Sequence, residues 1–185
     1  MVGLIQRILL HMIEQEAGPD ARARVLRGAG LPETMDYRID RTYDDEEFLR
    51  LFGVACSELG VTQAQAEITY ADYFGRDALE RFPAWFEVSE DARSFLLRQP
   101  LIHNCIAESI SNRDLRRAVR DKFSVRESEG QILTRYESRN RMCGLYVALA
   151  SWVLHHYEET ADIVETSCMK AGAPCCEIEI RWKTD

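Results

Sequence analysis

The apolar residues of this 185-residue chain change their spacing near Lys122, and that change narrows the folds open to it. Before it, they recur three and four positions apart, the spacing of a helix with one buried face. Ile5, Ile8, Leu9, Met12 and Ile13 share a side of a helix over Val2–Glu16, ended by Gly18-Pro19-Asp20. Ala21–Arg27 is a short helix stopped by Gly28, Gly30 and Pro32. Asp44 or Asp45 caps a helix carrying Phe48, Leu51, Phe52 and Ala55, closed by Gly60. Thr62 caps the next, through Ala66, Ile68, Tyr70 and Tyr73. After the aromatic turn Phe82–Phe86, Ser89 begins the segment that holds His103, with a helical stretch from Ser94 to Ile110.

Beyond Lys122 the period shortens to two. Lys122–Glu127 and Gln131–Tyr136 are expected as strands joined by a turn at Glu129-Gly130. A long helix, Met142–Tyr157, presents Met142, Leu145, Tyr146, Leu149, Trp152 and Val153 on one face. The end is a hairpin pairing Ile163–Met169 with Cys175–Trp182 across Ala171–Pro174. Alternation puts Cys176, Ile178, Ile180 and Trp182 on one face and Glu177, Glu179 and Arg181 on the other. Helices first, then a four-stranded antiparallel sheet with inserted helices, is an α+β fold. The length suits a single domain over 1–185, helical over about 1–60, with the His103 segment, the sheet and the hairpin in about 61–185.

The formal net charge of −8 argues against nucleic acid as a partner, although Arg113, Arg116, Arg117, Arg120 and Lys122 form a local basic patch. No stretch approaches the roughly 20 apolar residues of a membrane span. The N-terminus lacks a basic leader and a small-residue cleavage site, so a cytoplasmic location is expected. A disulfide scaffold is then disfavoured for the six cysteines. Cys56 and Cys105 read as buried small hydrophobes, whereas the later ones cluster as metal or redox sites do. His11, His155 and His156 read as structural or surface residues. There is no Gly-rich phosphate loop, no Ser-His-Asp motif and no carboxylate pair in an apolar setting, so no enzyme is expected.

His103 stands on an apolar helical face with Leu96, Pro100, Ile106, Ala107 and Ile110. A neutral imidazole there suits a heme iron, or a core histidine bonded to a backbone carbonyl. About thirty residues later comes Tyr136-Glu137-Ser138, flanked by Arg139 and Arg141. Phenol, hydroxyl and guanidinium groups are suited to heme propionates, and Ser138 equally suits a helix N-cap. In these residues and their spacing the chain resembles the H-NOX family of heme domains that sense nitric oxide or oxygen. That family carries a proximal histidine and a Tyr-x-Ser-x-Arg motif; Tyr136 and Ser138 match it, and Asn140 stands where the arginine belongs. The proline that the family usually carries just after the proximal helix is also missing from Ser111–Arg120.

The resemblance runs from the first helix to the final hairpin. It implies a bacterial-type, stand-alone sensor with ferrous heme b between its helical and sheet halves. His103 is then the axial iron ligand. Tyr136, Ser138 and a neighbouring Arg139 or Arg141 serve the propionates, and Ile5, Leu9 and Leu145 lie over the gas-binding face. Oxygen-binding members place a tyrosine where Leu145 stands, so nitric oxide, with carbon monoxide a further ligand, is expected over oxygen. Loosening of the His103 bond would shift the two halves and present a new surface to a signalling protein such as a histidine kinase or a cyclic-di-nucleotide enzyme.

Some members also carry a C-terminal zinc site. Its spacing recurs here in Cys143, Glu165, Cys168 and Cys176, with Glu165 in place of a histidine. Three thiolates and a carboxylate complete a tetrahedral zinc, and Cys175 is a substitute for Glu165. A strictly alternating strand would put Glu165 and Cys168 on opposite faces, so the site requires a bulge between them. The competing readings are a heme-free small-ligand or adaptor module of the 4-vinyl reductase-like superfamily, and a zinc or thiol redox sensor.

Overall fold

The change of period at Lys122 falls one residue before the first strand in the computed structural model, which describes residues 2–108 and 110–183. The outermost residues of the expected 1–185 domain, Met1, Thr184 and Asp185, lie outside the described residues. The chain forms two compact units, Met1–Asp77 and Ala78–Asp185.

In the first unit, α1 (Gly3–Gly28) is broken at Gly18, whose φ of 83° and ψ of 171° are not helical. Pro19 follows, and its ring restarts a helix where it could not continue one. The sequence marks this point as the boundary between two helices. In α2 (Asp45–Leu59), Asp44 is the N-cap, accepting from the Glu46 N–H. Before α3 (Gln63–Arg81), Thr62 and Gln65 form a reciprocal pair: Thr62 Oγ1 accepts from Gln65 N–H at 3.3 Å, and Gln65 Oε1 accepts from Thr62 N–H at 2.9 Å. Leu9, Met12, Ile13, Val25, Leu26, Phe48, Leu51, Phe52 and Tyr70 are buried. The Tyr70 hydroxyl donates to the Ile5 carbonyl at 3.0 Å. Ile68 departs from expectation: it is 65% exposed. It stands two residues from both Ala66 and Tyr70, the wrong interval for a shared helical face.

The second unit takes in the end of α3 from Ala78 and continues with α4 (Pro83–Glu87), α5 (Ala92–Leu97), α6 (Gln99–Glu108) and α7 (Arg113–Arg120). The helical stretch expected from Ser94 to Ile110 is two helices: the first starts at Ala92, after Asp91, and the second ends at Glu108, with Ser109 outside the described residues. Asp91 accepts from Ser94 N–H at 2.7 Å and Ser94 Oγ accepts from Asp91 N–H, which sets the start of α5. The break at Arg98 lies two residues before Pro100, which has no N–H to bond back across it. Arg98 is held by the Trp85 carbonyl and the Ser89 hydroxyl.

The sheet has the order β1-β2-β4-β3, with β1 (Phe123–Ser128), β2 (Gln131–Tyr136), β3 (Ala161–Ser167) and β4 (Cys176–Trp182), all neighbours antiparallel. Glu129 and Gly130 turn β1 into β2 with positive φ at both residues, the twist that a two-residue hairpin favours. This turn pairs Ser128 with Gln131 and, counting back, Phe123 with Tyr136. Ile132, Thr134, Tyr136, Cys176, Ile178 and Ile180 are buried along one face.

The inserted helix is α8 (Cys143–His156), with Met142 as its N-cap position. Its buried residues are Cys143, Tyr146, Ala150, Val153 and Leu154, whereas Leu145, Leu149 and Trp152 are half-buried. Apolar residues surround this helix, so pattern alone leaves its phase open. A buried 2.8 Å hydrogen bond between the Tyr146 and Thr134 hydroxyls anchors it to the sheet. Just past α8, Glu159 accepts from the Ala92 N–H at 2.9 Å and from the Trp182 indole at 2.5 Å, tying the start of α5 to β4.

Candidate functional site

His103 occupies the middle of α6, and its ring lies 4.6 Å from that of Phe123, tilted by 49°. Phe123 lies 5.1 Å from Tyr136 and 5.3 Å from Tyr146. Four elements thus converge: α6 supplies the imidazole, β1 the intervening phenyl ring, and β2 and α8 a phenol each. Burial, with a smaller contribution from the Lys122 charge, pushes the His103 pKa down to about 3. The imidazole is therefore neutral at ordinary pH, the state in which a ring nitrogen offers a lone pair to a metal. Its Nδ1 is buried without a hydrogen-bond partner, so the bond to a backbone carbonyl that would mark a purely structural histidine is not made at this atom.

The hook begins at the end of β2. Tyr136 is buried, and its phenol oxygen accepts from the Met142 N–H at 3.2 Å. Burial raises its pKa, which keeps the phenol protonated, while the Ser138 side chain bonds to it. Ser138 is not the N-cap of the following helix, which starts five residues later. Its hydroxyl instead accepts from the Asn140 N–H at 3.3 Å, and its carbonyl accepts from the Arg141 N–H at 3.1 Å, closing a turn. Asn140 is buried with Tyr136, whereas Arg139 and Arg141 are exposed. The position that lacks the motif guanidinium thus lies on the side of the phenol, and the two neighbouring guanidinium groups lie on the other.

A neutral histidine and a phenol–hydroxyl pair brought together through Phe123 fit the polar needs of a heme: an axial nitrogen and donors for a carboxylate. The positive fork is the part that Asn140 does not supply. Ile5 and Leu9 belong to the first unit, half-buried and buried respectively; Leu145, on α8, is half-buried.

A second constellation lies where α8, β3 and β4 begin or end. One ligand atom from each of Cys143, Glu165, Cys168 and Cys176 lies within 4.8 Å of all the others. The pairing of β3 with β4 shifts register between Glu165 and Ser167, the irregularity that the spacing demanded. The Cys143 and Cys168 sulfurs are 3.7 Å apart. Two thiolates about 2.3 Å from one tetrahedral zinc would stand about 3.8 Å apart. Burial and hydrogen bonds from Glu165, Cys168 and Cys176 push the Cys143 thiol pKa up, and burial raises that of Cys176. Cys175 is not part of the group, which corrects its place as a substitute for Glu165. Neighbouring residues of an extended segment point to opposite faces, and Cys175 Sγ accepts instead from Arg135 Nε at 3.1 Å.

Of the remaining cysteines, Cys56 is half-buried and Cys105 exposed, not buried as expected. Cys105 lies two residues from His103 and so on another side of α6. His11 and His155 are exposed, and His156 is half-buried and stacks on Trp152. Phe123 and Lys122 carry site contacts that the sequence reading did not assign. The two-residue turn at Glu129-Gly130 was the signal for Phe123, because it fixes Tyr136 as its partner.

The profile of the family described as Haem-NO-binding matches residues 2–165. No curated protein matches the chain. Among solved structures, an H-NOX protein from S. oneidensis in the Fe(II)NO ligation state is similar over 100% of both chains, with a TM-score of 0.84 and 18% identity. An oxygen-binding H-NOX domain related to soluble guanylate cyclases, in its oxygen complex, has a TM-score of 0.80 and 17% identity, covering 100% of this chain and 96% of its own. At these identities the structural likeness establishes the fold: N-terminal helices followed by a four-stranded antiparallel sheet.

Proposed function

This chain belongs to the Haem-NO-binding, or H-NOX, family, and from that premise we propose that it is a heme-based sensor of nitric oxide rather than an enzyme. The observation that carries this reading is His103: a neutral imidazole with a buried, unpartnered nitrogen, one aromatic ring away from a buried phenol. In this reading His103 would hold the iron of heme b, and Tyr136 and Ser138 would donate to its propionates. Arg139 and Arg141 contribute positive charge from the exposed side of the same turn. When bound, ferrous heme supplies a metal that takes up a diatomic gas.

The other residues shape that choice of gas. Ile5, Leu9 and Leu145 are assigned to the gas-binding side by family resemblance. None carries a hydrogen-bond donor in its side chain, and bound oxygen needs one more than nitric oxide or carbon monoxide does. A chain that forms a stable oxygen complex in air would contradict this preference.

Cys143, Glu165, Cys168 and Cys176 hold a zinc ion in the same proposal, supported by their mutual distances. The sensor acts from the cytoplasm on a separate signalling protein, a histidine kinase or a cyclic-di-nucleotide enzyme. None of the described helices is long and apolar enough to cross a membrane. A second reading, a thiol redox sensor, draws on the 3.7 Å approach of Cys143 to Cys168. Titration with hemin tests the main reading: one equivalent is taken up by the wild-type chain and much less by His103→Ala. If both chains take up none, the heme assignment is wrong and the cysteine group becomes the candidate sensor.

A further inference from the structure

Positions 113–122 hold five basic residues and two acidic ones in a chain whose formal net charge is −8, so the remainder is more acidic still. At 3.6 residues per turn, Arg113, Arg116, Arg117 and Arg120 of α7 fall within an arc of roughly 100°. Leu115 and Val119 turn away from that arc and are half-buried, whereas Arg113, Arg117 and Arg120 are exposed. Charge along this stripe is incompletely offset. Arg117 and Arg120 share one carboxylate, that of Asp121, at 3.4 Å and 3.2 Å, yet their side chains remain 78% and 52% exposed. Arg116 Nε donates to the Ile110 carbonyl at 2.8 Å, a partner without formal charge. Asp114 lies outside the arc. One carboxylate against four guanidinium groups leaves the face positive.

We propose that the arginine face of α7 is the docking surface for an acidic protein partner, one that presents carboxylates three and four residues apart along a helix. Charge complementarity selects the partner. Guanidinium forks match carboxylates and phosphates alike. The stripe, however, is only about 12 Å long, eight residues at about 1.5 Å each. Nucleic acid or an anionic membrane brings an extended negative surface against a chain that is acidic elsewhere. A helix with carboxylates at matching intervals meets the stripe alone, and repulsion from the rest of the chain steers it there. The surface also adjoins the His103 helix: α6 ends at Glu108, α7 starts at Arg113, and the Arg116–Ile110 bond ties α7 to the segment between them. A shift of α6 is thereby passed to the stripe. That coupling rests on the heme reading above, whereas the docking surface does not.

The test is binding of fluorescent helical peptides to the full chain, followed by anisotropy at low and high salt. One peptide carries glutamates three and four residues apart on one face, a second has the same residues scrambled, and a third has glutamine for glutamate. The first should bind, more weakly as salt rises; the scrambled peptide should bind less tightly, and the glutamine peptide not at all. Each of Arg113→Gln, Arg117→Gln and Arg120→Gln should weaken binding about threefold, the scale of one exposed ion pair, and the triple variant about 30-fold. Arg126→Gln, an equal loss of charge at an exposed position of β1, should leave it unchanged. Equal affinity for the ordered and scrambled peptides, or for wild type and the triple variant, overturns the proposal. Tighter stripe-dependent binding of a DNA duplex or of phosphatidylserine vesicles overturns it in favour of phosphate, and stripe-dependent self-association in favour of a second copy. Repeating the titration on the hemin-reconstituted, reduced chain before and after nitric oxide tests the coupling. An affinity that nitric oxide leaves unchanged upholds the surface and removes its link to His103. Stripe-dependent binding in a chain that takes up no heme upholds the surface and removes the heme reading instead.

Discussion

The His103 and Phe123 rings meet at 4.6 Å although twenty residues separate them in sequence, and Phe123 also touches Tyr136 and Tyr146. Phe123 is thus the contact through which α6, β1, β2 and α8 share one aromatic cluster. Replacing it with alanine opens a cavity at that junction, and a buried Phe→Ala change costs about 3–5 kcal/mol. Denaturant unfolding should show a loss near the lower end of that range. Phe123→Leu, which retains most of the volume, should lose less than half as much. Equal losses would mean that the ring contacts, rather than the filled space, hold the junction.

Protonation of His103 should destabilise the fold. Its pKa is about 3 in the folded chain against an ordinary histidine value of 6.5, so between those values the unfolded chain binds the extra proton. Stability therefore rises with pH across this window, is fully present above it and is lost progressively as pH falls toward 3. Denaturant midpoints measured from about pH 7 to about pH 4 should drop more steeply for wild type than for His103→Leu, by on the order of 1 kcal/mol per pH unit. Parallel profiles would mean that the imidazole is solvated.

Asn140→Arg supplies the positive fork that the hook lacks, at a buried position. Without an anion to meet it, a buried guanidinium is costly. The variant should be less stable than wild type when heme-free, yet bind heme about 10-fold more tightly, since a hydrogen bond to a charged group contributes about 1.5–3 kcal/mol. Unfolding of the heme-free chains and hemin titration of both check the two halves. A loss of stability with no gain in affinity would separate the Asn140 side chain from the propionates.

The cysteine group should bind one zinc ion per chain, and binding should release protons, because the raised thiol pKa values of Cys143 and Cys176 keep both groups protonated beforehand. Zinc affinity therefore increases with pH. Cys143→Ser should weaken it by more than about 100-fold, and Glu165→Ala, which retains three thiolates, by about 10-fold. Metal analysis and a competitive zinc titration measure both. Undiminished affinity in Glu165→Ala would remove the carboxylate from the site.

Much of this arrangement was legible in the sequence, for identifiable reasons. Cys176, Ile178 and Ile180 alternate without interruption, so the face of β4 was unambiguous. The bulge after Glu165 was foreseeable because regular pleating would have separated Glu165 from Cys168. Other features depended on tertiary contacts. The phase of α8 is set by the Tyr146–Thr134 hydrogen bond, which apolar spacing does not reveal in a helix that is apolar all round. The break at Arg98 required weighing Pro100 above a continuous apolar pattern. Ser138 resembles an N-cap by residue type, but its hydroxyl serves the turn at Asn140. Cys175 and Cys176 are equivalent in composition, and only the pleat and Arg135 distinguish them.

The central claim is that His103 ligates a ferrous heme in a nitric oxide sensor. Its most direct test is the absorption spectrum of the hemin-reconstituted, dithionite-reduced chain before and after nitric oxide, beside His103→Ala. The account predicts a ferrous Soret band that shifts to a five-coordinate nitrosyl form in the wild-type chain, with heme binding lost or altered in the variant. Identical spectra for the two chains would contradict it.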